Sequence, residues 1–325
     1  MRADTTVICA NVAYPTDAGL LAKAVGKLVR TARRVQAAGG ATGTKVTDRR
    51  WTAARQMRQI ASSLRTRGKL SREESTRVIR RVTGELAWLA DTAAAQAAVV
   101  LRNGRRALPK AISGRVRGRL RRALDELAVI IERTATVVAQ ARTRLAGQTP
   151  DGATRLVSLH DPDARPIRKG RIDRPVEFGY KAPVTDNDDG IILDYTVEYG
   201  AAPDGPQLAP AIERVTRRAG RVPGAVTADR GYGQPLYERD LHHLGVRTVA
   251  IPRQGKISAT RHKIEHNRGF HRLVKWRTGS EGRISYLKRR YGWDRTRLDG
   301  RDGAAIWCGH EVFAHNLVKI ATLAS

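Results

Sequence analysis

The spacing of apolar residues changes character along the chain. Residues 5–12 (TTVICANV) are short and β-branched, the pattern of a strand. From 17 to 146 apolar positions recur every three or four residues, a period only helices fit. Leu21, Val25, Leu28, Ala32 and Val35 make one stripe, and Met57, Ile60 and Leu64 a second. Val78, Val82, Leu86 and Leu89 make a third, opened by Ser71 and Glu74 at the spacing of a capping box. Leu120, Leu124, Leu127, Ile131 and Val138 make the fourth, while GGATGT (39–44) and NGRRALPKAISG (103–114) read as connections. These stripes predict an antiparallel helical bundle whose outer faces are lined with arginine.

From about residue 151 the period becomes mixed. RLVSLH (155–160) reads as a strand. Val176, Phe178, Tyr180, Ala182 and Val184 alternate, DNDDG (186–190) turns, and IILDYTVEY (191–199) returns, which predicts a β-hairpin. A helix over 207–219, a buried strand GAVTAD (224–229), a helix over 235–243 and a strand VRTVAIP (246–252) follow. A long basic helix over 271–291 and a last helix over 303–323 close the chain. The order predicts an α/β domain with a mixed sheet. Residues 1–16 are then the first strand of a core, 17–150 a basic helical insertion, and 151–325 the remainder of the core with its C-terminal helices.

Charge narrows the partners. Sixty Lys and Arg stand against 31 Asp and Glu, a net charge of +29 in 325 residues, so a polyanion has the first claim. Forty-eight of the cations are Arg. A GC-rich coding sequence accounts for Arg over Lys better than for the excess of cations over anions. Cys9 and Cys308 lie far apart in apolar contexts, in neither a metal spacing nor a disulfide framework. No apolar run approaches the roughly 20 residues that span a bilayer. The opening MRADTTVICANVAYP lacks a signal-peptide layout. The expectation is a cytoplasmic, nucleoid-associated protein.

Two segments carry candidate chemistry. Asp229 falls where a buried strand meets the glycine turn RGYG, the edge at which α/β folds collect ligands. Taken alone, the commoner role for an Asp so placed is to cap the next helix. Arg277, Glu281 and Lys288 are spaced by four and seven residues, which puts all three on one face of a helix. A carboxylate between two cations can bind a divalent ion while the cations hold a phosphodiester. The plainer reading is an exposed Arg–Glu pair, worth about 0.3–0.5 kcal/mol. Gly279 and Gly282 beside Glu281 would let a DNA backbone approach. His242, His243, His262, His266 and His271 read as surface residues, and Trp276 and Trp293 as core.

The segment with Arg277, Glu281 and Lys288 resembles the Y-R-E-K signature of insertion-sequence DDE transposases, with Val274 standing where the family has Tyr. TADRGYG resembles that family's second acidic motif, and DTTVICANVAYPTDAGLL the segment around its first Asp. DPDARPIRKG and EFGYKAPV resemble the approach to its central hairpin, and GHEVFAHNLVKIA its closing helix. The resemblance covers both ends and the whole second half of the chain. It implies a ribonuclease-H-like mixed sheet with flanking helices, interrupted by the helical bundle. It implies a DNA transposase that cuts phosphodiester bonds at transposon ends and transfers the strands to target DNA, using two Mg2+ ions or Mn2+ in their place. Asp4, Asp229 and Glu281 would be the catalytic, metal-holding triad, and Arg277 and Lys288 the DNA-binding cations. Partners would be the terminal inverted repeats, target DNA and a second copy of the chain. The first carboxylate stays open: the motif favours Asp4, whereas Asp161, at the end of RLVSLH, is favoured by local geometry. The family's N-terminal helix-turn-helix region has no counterpart here, which implies a truncated copy, inactive if that part is needed. Two other readings remain on sequence alone: a basic nucleic-acid-binding protein without catalysis, and a ribonuclease-H-like nuclease that cuts without joining.

Overall fold

The β-branched segment at the start of the chain forms β1 (Arg2–Cys9), and hydrogen bonds leave it on both edges. The structure, a computed structural model, describes residues 1–65, 71–110, 113–169 and 175–325. The other strands are β2 (Arg165–Arg168), β3 (Val176–Asp186), β4 (Ile192–Tyr195), β5 (Ala225–Ala228) and β6 (Thr248–Ala250). β1 runs antiparallel to β3, from Arg2 opposite Asp186 to Cys9 opposite Gly179. On its other edge it runs parallel to β5, and β5 parallel to β6. The far edge of β3 is shared by β2 and β4. The order is therefore β2-β3-β1-β5-β6 with β4 on β3, a mixed sheet with flanking helices of the ribonuclease-H-like kind.

Residues 1–12 and 163–325 form one compact unit and 13–162 another. The second unit is helical: α1 (Asp17–Ala37), α2 (Arg50–Arg65), α3 (Arg72–Ala107) and α4 (Gly114–Leu145). Leu21, Leu28, Val35, Leu86, Leu120, Leu124 and Leu127 from the sequence stripes bury into one core. The Ser71–Glu74 capping box is formed at the start of α3. That helix continues to Ala107 and ends in a single 3-10 turn (Leu108–Lys110), so the expected connection 103–114 is helical over its first half. Its residues 111 and 112 lie outside the described residues, as does Gly170 of DPDARPIRKG.

RLVSLH is not a strand. Leu156 and Leu159 bury in the helical core instead. Gln140 of α4 takes both backbone groups of Leu156, accepting its N–H at 2.6 Å and donating to its carbonyl at 3.1 Å. Arg133 donates to the Leu159 carbonyl at 2.6 Å. An alternating apolar segment needs backbone partners, and here helix side chains supply what a neighbouring strand would.

In the first unit α5 (Leu208–Ala219) and α6 (Pro235–His243) cover one face of the sheet, where Ala3, Leu208, Ile212, Val226, Ala228 and Leu241 make the core. Asp194 of β4 is buried and takes Arg214 and Arg218 of α5. A short helix not anticipated from the sequence, α7 (Ala259–Glu265), precedes α8 (Arg268–Arg277) and α9 (Gly279–Arg290). The single basic helix expected over 271–291 is thus two, divided at Thr278. The last helix, α10 (Gly300–Ala324), is pinned to β4 by Asn316, which both donates to and accepts from the Ile192 backbone at 2.9 Å. Among the described residues no helix is long and apolar enough to cross a membrane.

Replacing Gln140 with Ala strands a buried N–H and a buried carbonyl. The expected cost is about 1–3 kcal/mol for each group left unpaired. Urea unfolding of Gln140→Ala beside the parent measures it, and an unchanged midpoint would remove the clamp from the account.

Candidate active site

Along a strand successive side chains point to opposite faces. On β1 this sends Arg2 and Asp4 toward α8 and α9, and Ala3 and Thr5 toward the α5–α6 layer. The parallel register pairs Arg2 with Thr227 and Ala3 with Ala228. One step further along the same register come Asp4 and Asp229. Asp229 follows the last residue of β5, and its Oδ1 accepts the Gly231 N–H at 2.6 Å, capping a 3-10 turn (Arg230–Tyr232). Asp229 therefore stands at the strand end as expected, but it caps this 3-10 turn and not the helix α6, whose cap position is Gln234.

Asp4 is held from two sides. Its Oδ1 accepts the Thr5 N–H at 2.8 Å, and its Oδ2 lies 3.4 Å from Arg277. Thr5 Oγ1 in turn shares a 2.6 Å hydrogen bond with the hydroxyl of Tyr232. Tyr232 is buried, and desolvation pushes its ionisation far above the usual range, so it stays a neutral phenol. The aromatic residue of RGYG is thus a strut between β1 and the turn after β5. Sequence reading passed it over, although a tyrosine inside a glycine turn was the available signal.

Arg2 fixes the other elements. It is buried and makes a two-pronged pair with Asp186 of β3, at 2.6 and 2.7 Å. Its remaining nitrogen donates to the Trp276 carbonyl at 2.9 Å, and its guanidinium lies 4.9 Å from the Trp276 ring centroid. A Cβ on Gly279 would overlap that guanidinium, whereas a Cβ on Gly282 would meet open space. Gly279 therefore serves the seat of Arg2 rather than the approach of DNA, and Gly282 alone keeps the sequence explanation.

The division between α8 and α9 falls inside the motif. Thr278 keeps a right-handed helical conformation (φ −55°, ψ −23°), with its hydroxyl donating to the Lys275 carbonyl at 2.7 Å. Because the turn stays right-handed, Arg277 at the end of α8 still reaches Glu281 in the first turn of α9, at 3.3 Å. Both Arg277 contacts are longer than a well-formed charge-assisted hydrogen bond. Glu281 is 70% exposed, so its carboxylate faces solvent. Lys288, two turns on, donates to the Val7 carbonyl of β1 at 2.9 Å.

Asp4, Asp229, Arg277 and Glu281 are brought together at one end of the sheet. Asp4 registers the crowding. Burial first, then the charges of Asp229 and Glu281, raise its pKa to about 6, against the opposing pull of the Thr5 N–H and Arg277. Asp161 lies in the helical unit, buried, with its N–H bonded to Ser158 Oγ at 3.1 Å. Among the described residues no group of three or more His, Cys, Asp or Glu side chains stands close enough to hold a metal ion as arranged. The donor chemistry nevertheless fits a hard divalent ion: oxygen ligands only, around a carboxylate whose raised pKa a cation would relieve. Trp293 is fully buried, as expected, with its indole N–H donating to the Cys308 carbonyl at 3.3 Å. His262 and His266 stack on an exposed face with ring centroids 3.8 Å apart.

Residues 163–317 match the family model described as a transposase DDE domain. The matched stretch contains Asp229, Arg277, Glu281 and Lys288 and leaves Asp4 and Asp161 outside. No curated protein and no solved structure matches the chain.

A carboxylate whose pKa is raised in the folded state costs stability as pH rises. For Asp4 nothing is lost below its unfolded value near 4, and the cost grows until pH passes about 6. A shift of that size corresponds to roughly 3 kcal/mol at neutral pH. Asp4→Asn should therefore be more stable than the parent at pH 7.5, with the difference closing by pH 4, as read by urea unfolding at both. A difference independent of pH would place the cost elsewhere than in Asp4 ionisation.

Proposed function

We propose that this chain, whose residues 163–317 are a transposase DDE domain of the insertion-sequence type, cuts phosphodiester bonds at transposon ends and joins the freed 3′ ends to target DNA. What supports the reading is the register of β1 against β5, with Asp4 beside Asp229 and Arg277 between Asp4 and Glu281. In this reading Asp4, rather than Asp161, is the first carboxylate, because Asp4 shares the sheet with Asp229.

The family works with divalent metal ions. Asp4, Asp229 and Glu281 would hold Mg2+ or Mn2+, two ions by resemblance. Bound there, such ions would lower the pKa of the attacking water and stabilise the leaving oxygen. The protein's own groups do the rest. The Thr5 N–H fixes the Asp4 carboxylate while Tyr232 holds Thr5 through its hydroxyl, so little reorganisation remains when the substrate arrives. Arg277 lies between Asp4 and Glu281 in the protein alone and offsets part of their charge. Once those carboxylates are otherwise neutralised, its guanidinium can turn to a phosphate of the transposon end, and Lys288 contributes a second cation on the same side. The basic faces of the helical unit would lie against DNA flanks. Two copies of the chain would act together on paired ends, within the nucleoid.

The test is an end-joining assay with the element's terminal inverted repeats and a target duplex in Mg2+. Asp229→Asn and Glu281→Gln should each lower the rate about a thousandfold, the effect of losing ~4 kcal/mol of charge stabilisation. Joining that survives a chelator, or Glu281→Gln at the parent rate, would sink the reading. Cut ends that are never joined would mark a nuclease instead.

A further inference from the structure

Asp4 is held from two sides, but Asp229 is not. Among the described residues its carboxylate accepts a hydrogen bond from the Gly231 N–H alone. Where the turn over 230–233 goes, Asp229 goes. That turn is gripped from outside by the loop that follows β6. Arg230 Nε donates to the Arg253 carbonyl at 2.8 Å. Gln254 donates twice, from its side chain to the Gly231 carbonyl at 2.8 Å and from its backbone to the Gly233 carbonyl at 3.0 Å. The approach is close, since a Cβ on Gly233 would overlap the Pro252 carbonyl oxygen. The hold on the loop itself is centred on one side chain. Arg261 of α7 is 11% exposed and uses its guanidinium in three directions. It donates to the carbonyl of Ile251, just past β6, at 2.8 Å, to Glu238 of α6 at 2.9 Å and to Glu265 of α7 at 2.8 Å. Both carboxylates pass the hold to the loop. Glu238 pairs with the Arg253 guanidinium at 2.6 Å, and Glu265 accepts the Arg253 N–H at 2.9 Å.

We propose that Arg261 is a positioning residue for Asp229, acting through the loop after β6 on the turn that carries the carboxylate. Three N–H groups aimed three ways suit a planar guanidinium and not an ammonium, which keeps the charge but loses the fork. Arg253, Glu238, Arg261 and Glu265 alternate in sign, and each side chain is less than a fifth exposed. A network of that kind holds its members more firmly than a single surface pair does. A site that must meet a reacting group tolerates a displacement of only about 0.5 Å, so its supporting residues decide whether it works. The bond from Gly231 cannot give Asp229 that accuracy, because both residues ride on the same turn. The catalytic consequence rests on the role of Asp229 proposed above. The mechanical link from Arg261 to Asp229 does not.

The test is amide hydrogen exchange of the full chain, free of metal and DNA, read by NMR. The Gly231 N–H exchanges when it leaves Asp229, so its rate reports how firmly the carboxylate is seated. Arg261→Lys keeps the charge and loses the fork. Gln254→Ala, at an exposed position, removes the side-chain bond to Gly231 and guards against a first variant that misfolds. Each should speed Gly231 exchange about tenfold and leave the β5 amides at the parent rate. Each should also weaken Mn2+ binding about threefold or more, and neither should weaken it further once Asp229→Asn is present, a result that a general structural role would not give. An unchanged Gly231 rate, an acceleration in β5 as large as that at Gly231, or losses that add to that of Asp229→Asn would overturn the proposal. A parent that binds no Mn2+ would sink the catalytic reading instead, with the Gly231 rates still deciding whether Arg261 seats Asp229.

Discussion

Three carboxylates that repel one another are held at one end of the sheet with a single guanidinium, Arg277, between two of them. The rest of the first unit is arranged so that this costly cluster cannot relax. Burial and, after it, like charges at close range favour protonation, and together they raise the pKa of Asp4 to about 6. Separation is limited because Asp4 lies on β1 and Asp229 directly follows β5, adjacent parallel strands paired at Arg2–Thr227 and Ala3–Ala228. Only Glu281, on a helix and mostly exposed, keeps freedom to approach or withdraw.

β1 makes this possible by its place in the sheet rather than by its own chemistry. It bonds β3 along eight positions and β5 at its first residues, so a displacement of Asp4 would have to break pairing on both sides. Arg2, two residues earlier on the same face, converts the strand into an anchor for α8 through Trp276 and for β3 through Asp186. A buried pair of that kind is a weak source of net stability, yet losing either partner leaves an uncompensated buried charge at a cost of about 3–5 kcal/mol. Its geometric effect is to fix where α8 ends and α9 begins, and so where Arg277 and Glu281 project. Tyr232 completes the frame from the other face.

Much of this was legible in the sequence. The helical stripes, the central hairpin, the strand before Asp229 and the terminal helix follow from period and turn chemistry, because each is decided by which residues must leave water. RLVSLH was not, since alternation marks a buried extended segment and is silent on whether a strand or Gln140 satisfies its backbone. The division at Thr278 was hidden because a right-handed turn continues the helical spacing of Arg277 and Glu281 across the break. Arg2 and Tyr232 escaped notice for a common reason. A buried arginine and a buried phenol look like surface residues until the partners that neutralise or bond them, 184 and 227 positions away, are known. The choice between Asp4 and Asp161 likewise turns on long-range strand pairing, which no local pattern encodes.

The most direct measurement is calorimetric titration of the folded protein with Mn2+ at pH 7.5, in the absence of DNA. If Asp4, Asp229 and Glu281 form one cation site, Asp4→Asn, Asp229→Asn and Glu281→Gln each weaken binding about tenfold or more, while Asp161→Asn binds as the parent does. Binding that survives Asp4→Asn but is lost with Asp161→Asn would contradict the account at its centre.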